Sequence, residues 1–115
     1  MIEKFGIGID VVSNKRFKKL PYSTNEKFYK KIFQQSEIDY CLKFKNSAEH
    51  FAGKFAIKEA VIKSIKEKIE FLDILIDYSN FKPKVSLTNN LSYQFIISVS
   101  HEKLYTIAVV ISENK

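Results

Sequence analysis

The chain is expected to fold as an α+β protein rather than as a doubly wound parallel sheet. Three observations carry that expectation: a buried-strand pattern opens the chain, helical patterns fill its middle, and strand patterns return in a run at its end. The opening "FGIGIDVV" has the apolar content of a buried strand, and Gly6 and Gly8 let another backbone or a ligand come close to it. Asp10 falls near the end of that strand. "SNKRFKKL" follows as a short basic helix capped by Ser13 or Asn14, and Pro21 breaks it. "STNEKFYKKIF" starts with a capping-box spacing, Ser23 to Glu26, and continues helical. "SEIDYCLKF" reads as a further short helix capped by Ser36.

One long helix is expected from about Ser47 to Lys66. Phe51, Phe55 and Ile62 form its apolar stripe, and Ala52, Ala56 and Ala60 let a neighbour pack closely. The period then changes. "FLDILIDY" mixes an apolar run with polar punctuation, "KPKVSL" carries Pro83, and "YQFIISVSHEKLYTIAVVI" has the pattern of a hairpin turning around His101, Glu102 and Lys103.

With 115 residues, 45% apolar and 28% charged, one domain with a single core is expected. No apolar run approaches the roughly 18 to 20 residues that cross a bilayer, so no membrane span is expected. The N-terminal segment lacks the apolar region of a secretory signal. Cys41 has no partner for a disulfide, which points to a reducing, cytoplasmic setting. Nineteen basic against thirteen acidic residues leave a net charge of +6 and favour an anionic partner. Arg16 is the only arginine, which argues against base-specific reading of duplex DNA.

Three pieces could carry chemistry: Asp10, Glu59 in the long helix, and the stretch Ser98-Val99-Ser100-His101 read as a turn. Two carboxylates on rigid elements suit a hard cation such as Mg2+, which takes few carboxylates and fills its shell with water and phosphate oxygens. Lys63 projects from the same helix face as Glu59, four residues on, and would neutralise a phosphate beside such a cation. The same pair is also an ordinary i, i+4 surface pair worth ~0.2–0.5 kcal/mol, and Asp10 could be a simple turn residue. A serine hydrolase is disfavoured because no G-x-S-x-G elbow is present. His50 reads as a helix-surface or partly buried histidine, and most of the ten Phe and six Tyr fall at core positions.

Taken in order, "GIGIDVV", "FAGKFAIKEAVIK", "KPKVSL" and "ISVSHEKLYTIAVVI" resemble the holo-acyl-carrier-protein synthases, the short bacterial type of 4'-phosphopantetheinyl transferase. The resemblance runs over nearly the whole chain and implies one such domain over residues 1–115. It implies transfer of the phosphopantetheine arm of coenzyme A to a serine of apo acyl carrier protein, releasing adenosine 3',5'-bisphosphate. It further implies Asp10, Glu59 and Lys63 as catalytic residues, with Asp10 and Glu59 holding Mg2+, or Mn2+ in its place. Lys54, Lys58, Lys63, Ser100 and His101 would meet coenzyme A, Lys54 standing where the family usually has arginine. Lys15, Arg16, Lys18 and Lys19 would dock the acidic carrier. The family forms homotrimers with active sites at subunit interfaces, and neither a nucleic-acid partner nor a membrane span is implied.

Two departures from the family pattern stand out. The glycine-containing loop after the catalytic lysine is replaced by the glycine-free segment from Ser64 to Asp73, where Lys66 or Lys68 could substitute side-chain charge. The usual Gly-Lys-Pro is Phe81-Lys82-Pro83, expected to alter only a turn. The competing reading is a non-catalytic basic domain that binds RNA or an acidic protein.

Overall fold

The structure, a computed structural model, describes residues 2–115. After a 3-10 turn at Ile2–Lys4 come β1 (Phe5–Ser13), α1 (Lys15–Lys18), α2 (Glu26–Lys30), α3 (Gln35–Leu42) and the long α4 (Ser47–Ser64). Strands β2 (Ile74–Ser79), β3 (Lys82–Leu87), β4 (Tyr93–His101) and β5 (Tyr105–Asn114) complete the chain. β1, β5 and β4 form a three-stranded antiparallel sheet in that order, while β2 and β3 form a separate hairpin. The expected α+β architecture is the one found.

α4 crosses one face of the three-stranded sheet, and two glycines set how closely. A Cβ on Gly6 would lie 1.7 Å from the Ser64 carbonyl oxygen, and one on Gly8 would lie 1.9 Å from that of Ala60. The close approach expected at these glycines is therefore made by the helix backbone. Phe51 through Lys58 are all buried, so α4 is enclosed on every side rather than along one stripe, and Ile62 is only half-buried. The reason is layering: the sheet covers one side of α4, and the short helices with β2 cover the other. Phe51 sits among the rings of Phe17, Tyr29 and Phe33, with centroids 6.4, 4.6 and 5.2 Å away.

Helix ends differ from the expected ones. α4 stops at Ser64, two residues short of Lys66, where Ile65 turns extended. α2 begins after Asn25, whose side-chain amide donates to the Pro21 carbonyl at 2.8 Å, and it spans only Glu26–Lys30, so the Ser23–Glu26 box is not its start. α3 begins after Gln34 rather than at Ser36, because the Glu37 carboxylate accepts the Gln34 backbone N–H at 2.7 Å. Asn14 precedes α1 without capping it. Its amide donates instead to the Glu102 and Lys103 carbonyls at 2.8 and 3.1 Å, and its carbonyl oxygen accepts from the Thr106 hydroxyl at 2.7 Å. Asn14 thus ties the end of β1 to the β4–β5 turn.

Two features bear on function. The outer face of the sheet is open and apolar: Phe5, Ile7, Ile9 and Val11 of β1 line up with Ile96 of β4 and Ile111 of β5, and Ile7 and Ile96 are 69% and 71% exposed. The β2–β3 hairpin turns through Asn80 and Phe81, with φ of 51° and 65°. This two-residue loop favours glycine at its second position, and a bulky residue there stores about 1–3 kcal/mol of strain. The Phe81 departure therefore adds strain to the turn.

Candidate active site

β1 delivers Asp10 toward α4, on the same strand face as Gly6 and Gly8. α4 delivers Glu59 and, one turn later, Lys63. The Lys63 ammonium lies 3.3 Å from Asp10 Oδ1 and donates to the Ile9 carbonyl at 3.0 Å. Its ion pair therefore crosses from helix to strand, where an ordinary surface pair would join Lys63 to Glu59. The other carboxylate oxygen of Asp10, Oδ2, is buried without a hydrogen-bond partner. Burial raises the pKa of Glu59 and the negative charge of Asp10 raises it further, while Lys63 and Arg16 pull it down. Two carboxylates repelling each other, one with an orphaned oxygen, match the donor set of a hard divalent cation completed by water and phosphate oxygens. Among the described residues, no group of three or more metal-ligating side chains is found.

The other two lysines of α4, expected to meet coenzyme A together with Lys63, are instead buried in the interior. Lys58 is 0% exposed. Its ammonium donates to Glu37 Oε1 at 2.7 Å and to the carbonyls of Ile32 and Phe71 at 2.9 and 3.1 Å, which uses all its protons and leaves none for coenzyme A. Glu37 in turn accepts the backbone N–H of Ile76 at 2.9 Å, so this pair joins α3, α4 and β2. Lys54 is 1% exposed, donates to the Ile76 carbonyl at 3.3 Å, and lies 4.8 and 4.6 Å from the ring centres of Tyr40 and Tyr78. Burial lowers the pKa of both lysines. Their ammonium groups are committed to the interior.

Ser98 to His101 is not a turn but the end of β4, and the turn itself is Glu102 to Leu104. Nor does this stretch converge on Asp10 within the chain, because β1 and β4 are opposite edges of the sheet with β5 between them. Ser100 is exposed and donates to Glu102 at 3.1 Å. His101 packs against α4 at Gly53, where a Cβ would come 3.0 Å from its ring, and lies 3.4 Å from the Thr106 hydroxyl. His50 is half-buried, as expected, and stacks on Phe44 with ring centres 3.8 Å apart.

Lys15, Arg16, Lys18 and Lys19 are all exposed on α1 and its C-terminal cap, around the buried Phe17. The Arg16 guanidinium lies 4.7 Å over the Phe55 ring, on the Glu59 side of the molecule. The glycine-free segment is anchored at both ends. Ser112 donates to the Ser64 carbonyl at 2.8 Å, the Tyr93 hydroxyl donates to Glu67, and the Gln34 amide donates to the Leu72 carbonyl at 2.7 Å. Lys66 and Lys68 stay exposed.

Sequence reasoning offered Asn14 only as a helix cap and missed Glu37, yet both organise the fold. Asn14 stands between Ser13 and Lys15 and Glu37 follows Gln34, Gln35 and Ser36, so no apolar setting marks either one in the sequence. It also passed over the Ile9 carbonyl, which no side-chain pattern marks.

A family model described as the 4'-phosphopantetheinyl transferase superfamily matches residues 6–110. The chain is 38% identical over 114 residues to the holo-[acyl-carrier-protein] synthase of Thermodesulfovibrio yellowstonii, a match covering 96% of this chain and 98% of that one. It is 37% identical over 109 residues to the corresponding synthase of Mycoplasma capricolum, covering 93% of each chain. Among solved structures it is similar to the Bacillus anthracis synthase in complex with CoA (3',5'-ADP), with a TM-score of 0.79 at 30% identity and 96% of each chain covered. The Helicobacter pylori synthase in complex with coenzyme A gives a TM-score of 0.78 at 35% identity, covering 93% of this chain and 99% of that one. The chain belongs to the 4'-phosphopantetheinyl transferase superfamily, in its holo-[acyl-carrier-protein] synthase branch.

Proposed function

We propose that this protein transfers the 4'-phosphopantetheine arm of coenzyme A to a serine of an apo acyl carrier protein. The observation that carries this is the Asp10–Glu59–Lys63 cluster, in which a buried Asp10 oxygen lacks a partner beside a second, destabilised carboxylate. Asp10 and Glu59 would hold Mg2+, or Mn2+ in its place; when bound, the metal supplies positive charge against the pyrophosphate. Glu59 accepts the proton of the carrier serine, directly or through a water, and its raised pKa suits it to that task. The serine oxygen attacks the β-phosphorus, and the bond from that phosphorus to the bridging oxygen breaks. Adenosine 3',5'-bisphosphate leaves with the electron pair. Lys63, held by Ile9 and Asp10, neutralises the oxygens that gain charge.

The exposed Lys15, Arg16, Lys18 and Lys19 form the docking patch for an acidic carrier, steering it toward Glu59. The open apolar face of the sheet supports a homotrimer, since an exposed patch of that kind marks an interface. A neighbouring copy would then bring its Ser100 and His101 toward coenzyme A at the Asp10 cluster, which those residues do not reach from their own chain. The whole span 1–115 acts as one transferase domain in this reading. A cytoplasmic setting, where a buried thiol such as Cys41 stays reduced, goes with it. Among the described residues, no helix is long and apolar enough to cross a membrane. The competing reading, a non-catalytic basic domain for RNA or an acidic protein, draws no support from the relatives described above.

The direct test is to incubate the protein with several apo carriers, coenzyme A and Mg2+ and to weigh the carriers. A mass gain of one phosphopantetheine arm, lost on chelation and restored by Mg2+ or Mn2+, is expected. No gain with any carrier overturns the reading. Light scattering tests the trimer: Ile7→Lys, on the open face, is expected to yield monomers.

A further inference from the structure

We propose that Phe81 is a stacking platform for the adenine base of coenzyme A, a specificity determinant that this chain adds to its nucleotide site. The inference rests on the function proposed above and deepens it.

Three observations on the β2–β3 hairpin lead there. Phe81 occupies the second loop position at φ 65°, where glycine is the unstrained choice and an aromatic is disfavoured. Its side chain is 101% exposed, so no packing within the chain compensates the backbone strain. An unfavourable conformation combined with full exposure marks a residue retained for something outside its own fold.

The third observation names the ligand. Phe81 lines a cavity of about 390 Å³ together with Lys82, Tyr78, Ser98 and His101. Lys82 and His101 offer a cation and a ring nitrogen to a phosphate, while Phe81 offers an apolar π face. A ligand that uses both features is flat and aromatic at one point and phosphorylated at another, as a nucleotide is. Of the molecules in the proposed reaction, only coenzyme A and its product adenosine 3',5'-bisphosphate fit that description. The phosphopantetheine arm has the phosphate but lacks the base. Gly53 keeps the cavity open at its helical wall, since a Cβ there would press on the His101 ring at 3.0 Å.

The test compares the wild-type protein with Phe81→Gly and Phe81→Trp by calorimetric titration of adenosine 3',5'-bisphosphate and of 4'-phosphopantetheine, alongside thermal melting. Phe81→Gly is expected to weaken bisphosphate binding by about tenfold, within the range that base–aromatic stacking supplies. Phosphopantetheine binding should stay unchanged and the melting temperature should rise as the turn relaxes. Phe81→Trp is expected to keep bisphosphate affinity. In turnover, Phe81→Gly should raise KM for coenzyme A and leave kcat nearly unchanged. Equal bisphosphate affinity in wild type and Phe81→Gly overturns the inference while leaving the transferase reading intact. So does a loss of assembly mass in Phe81→Gly at unchanged affinity, which assigns Phe81 to contact with a second copy. Failure of the wild type to bind either coenzyme A or the bisphosphate overturns the inference together with the reading beneath it.

Discussion

Lys58 and Glu59 are adjacent in α4, both charged, and serve opposite purposes. Lys58 is fully enclosed, but each of its protons has an acceptor and its charge is matched by Glu37 at 2.7 Å. Glu59 is only half-buried, yet it faces another carboxylate and its charged form is disfavoured. The more buried charge is the better satisfied one. A charge that the fold has fully satisfied holds elements together, whereas a charge left wanting is available to a ligand. The Asp10 carboxylate shows both conditions in one group: Oδ1 is paired with Lys63, and Oδ2 is buried without a partner.

The contrast can be broken from either side. The largest expected effect is on the Glu59 side. In the proposed mechanism Glu59→Gln would remove the proton acceptor and one metal ligand, and transfer should fall by about 10²–10⁴-fold, the usual contribution of general acid–base catalysis. Single-turnover mass measurements on the carrier check this, and retained activity would remove Glu59 from the mechanism.

Next comes Lys58→Met, which leaves the Glu37 carboxylate buried and uncompensated. Breaking a buried pair in this way costs about 3–5 kcal/mol, and urea unfolding should show that loss. The variant should still transfer at near wild-type rate per folded molecule at low temperature. A variant that is stable but inactive would place Lys58 in the site after all.

A smaller effect separates the two regions by pH. The pKa of Glu59 is raised in the folded protein, so folding favours its protonated form. That contribution to stability is fully present below the unfolded carboxylate pKa and is lost as pH rises through the folded value. In the metal-free protein, Glu59→Gln should therefore raise the melting temperature at neutral pH and leave it unchanged in acid. Added Mg2+ should narrow the neutral-pH difference, since bound metal stabilises the wild type by mass action. Melting curves across pH, with and without Mg2+, check both statements.

The smallest effect is the reference for an ordinary surface charge. Lys30 and Glu26 lie 3.5 Å apart at i, i+4, each side chain 53% exposed. Lys30→Ala should cost no more than about 0.5 kcal/mol and leave transfer unaffected. A large effect would mean that exposure is a poor guide to which charges matter in this molecule.

The fold class was legible because hydrophobic patterning is local: an opening strand, helices, then strands appear in the chain in that order. Asp10, Glu59 and Lys63 were legible as a candidate group from residue type and spacing, but only the resemblance of whole motifs favoured that reading over an ordinary Glu59–Lys63 surface pair. Gly6 and Gly8 announced a close approach, but the sequence could not say that the visitor was the backbone of α4.

What the sequence determined by itself is the order and type of the elements, and the chemical groups available to a site. Which groups face one another was settled only by the tertiary structure. Lys54, Lys58, Glu59 and Lys63, spaced along two to three turns of one helix, look alike in sequence. Their fates diverged because α4 is enclosed by a sheet on one side and by α3 and β2 on the other. That enclosure carries Lys54 and Lys58 into the interior, where an unpaired charge is prohibitive, and so they are satisfied there by Tyr40, Tyr78, Glu37 and main-chain carbonyls. It leaves Glu59 and Lys63 at the seam with β1, the one place where Asp10 can meet them.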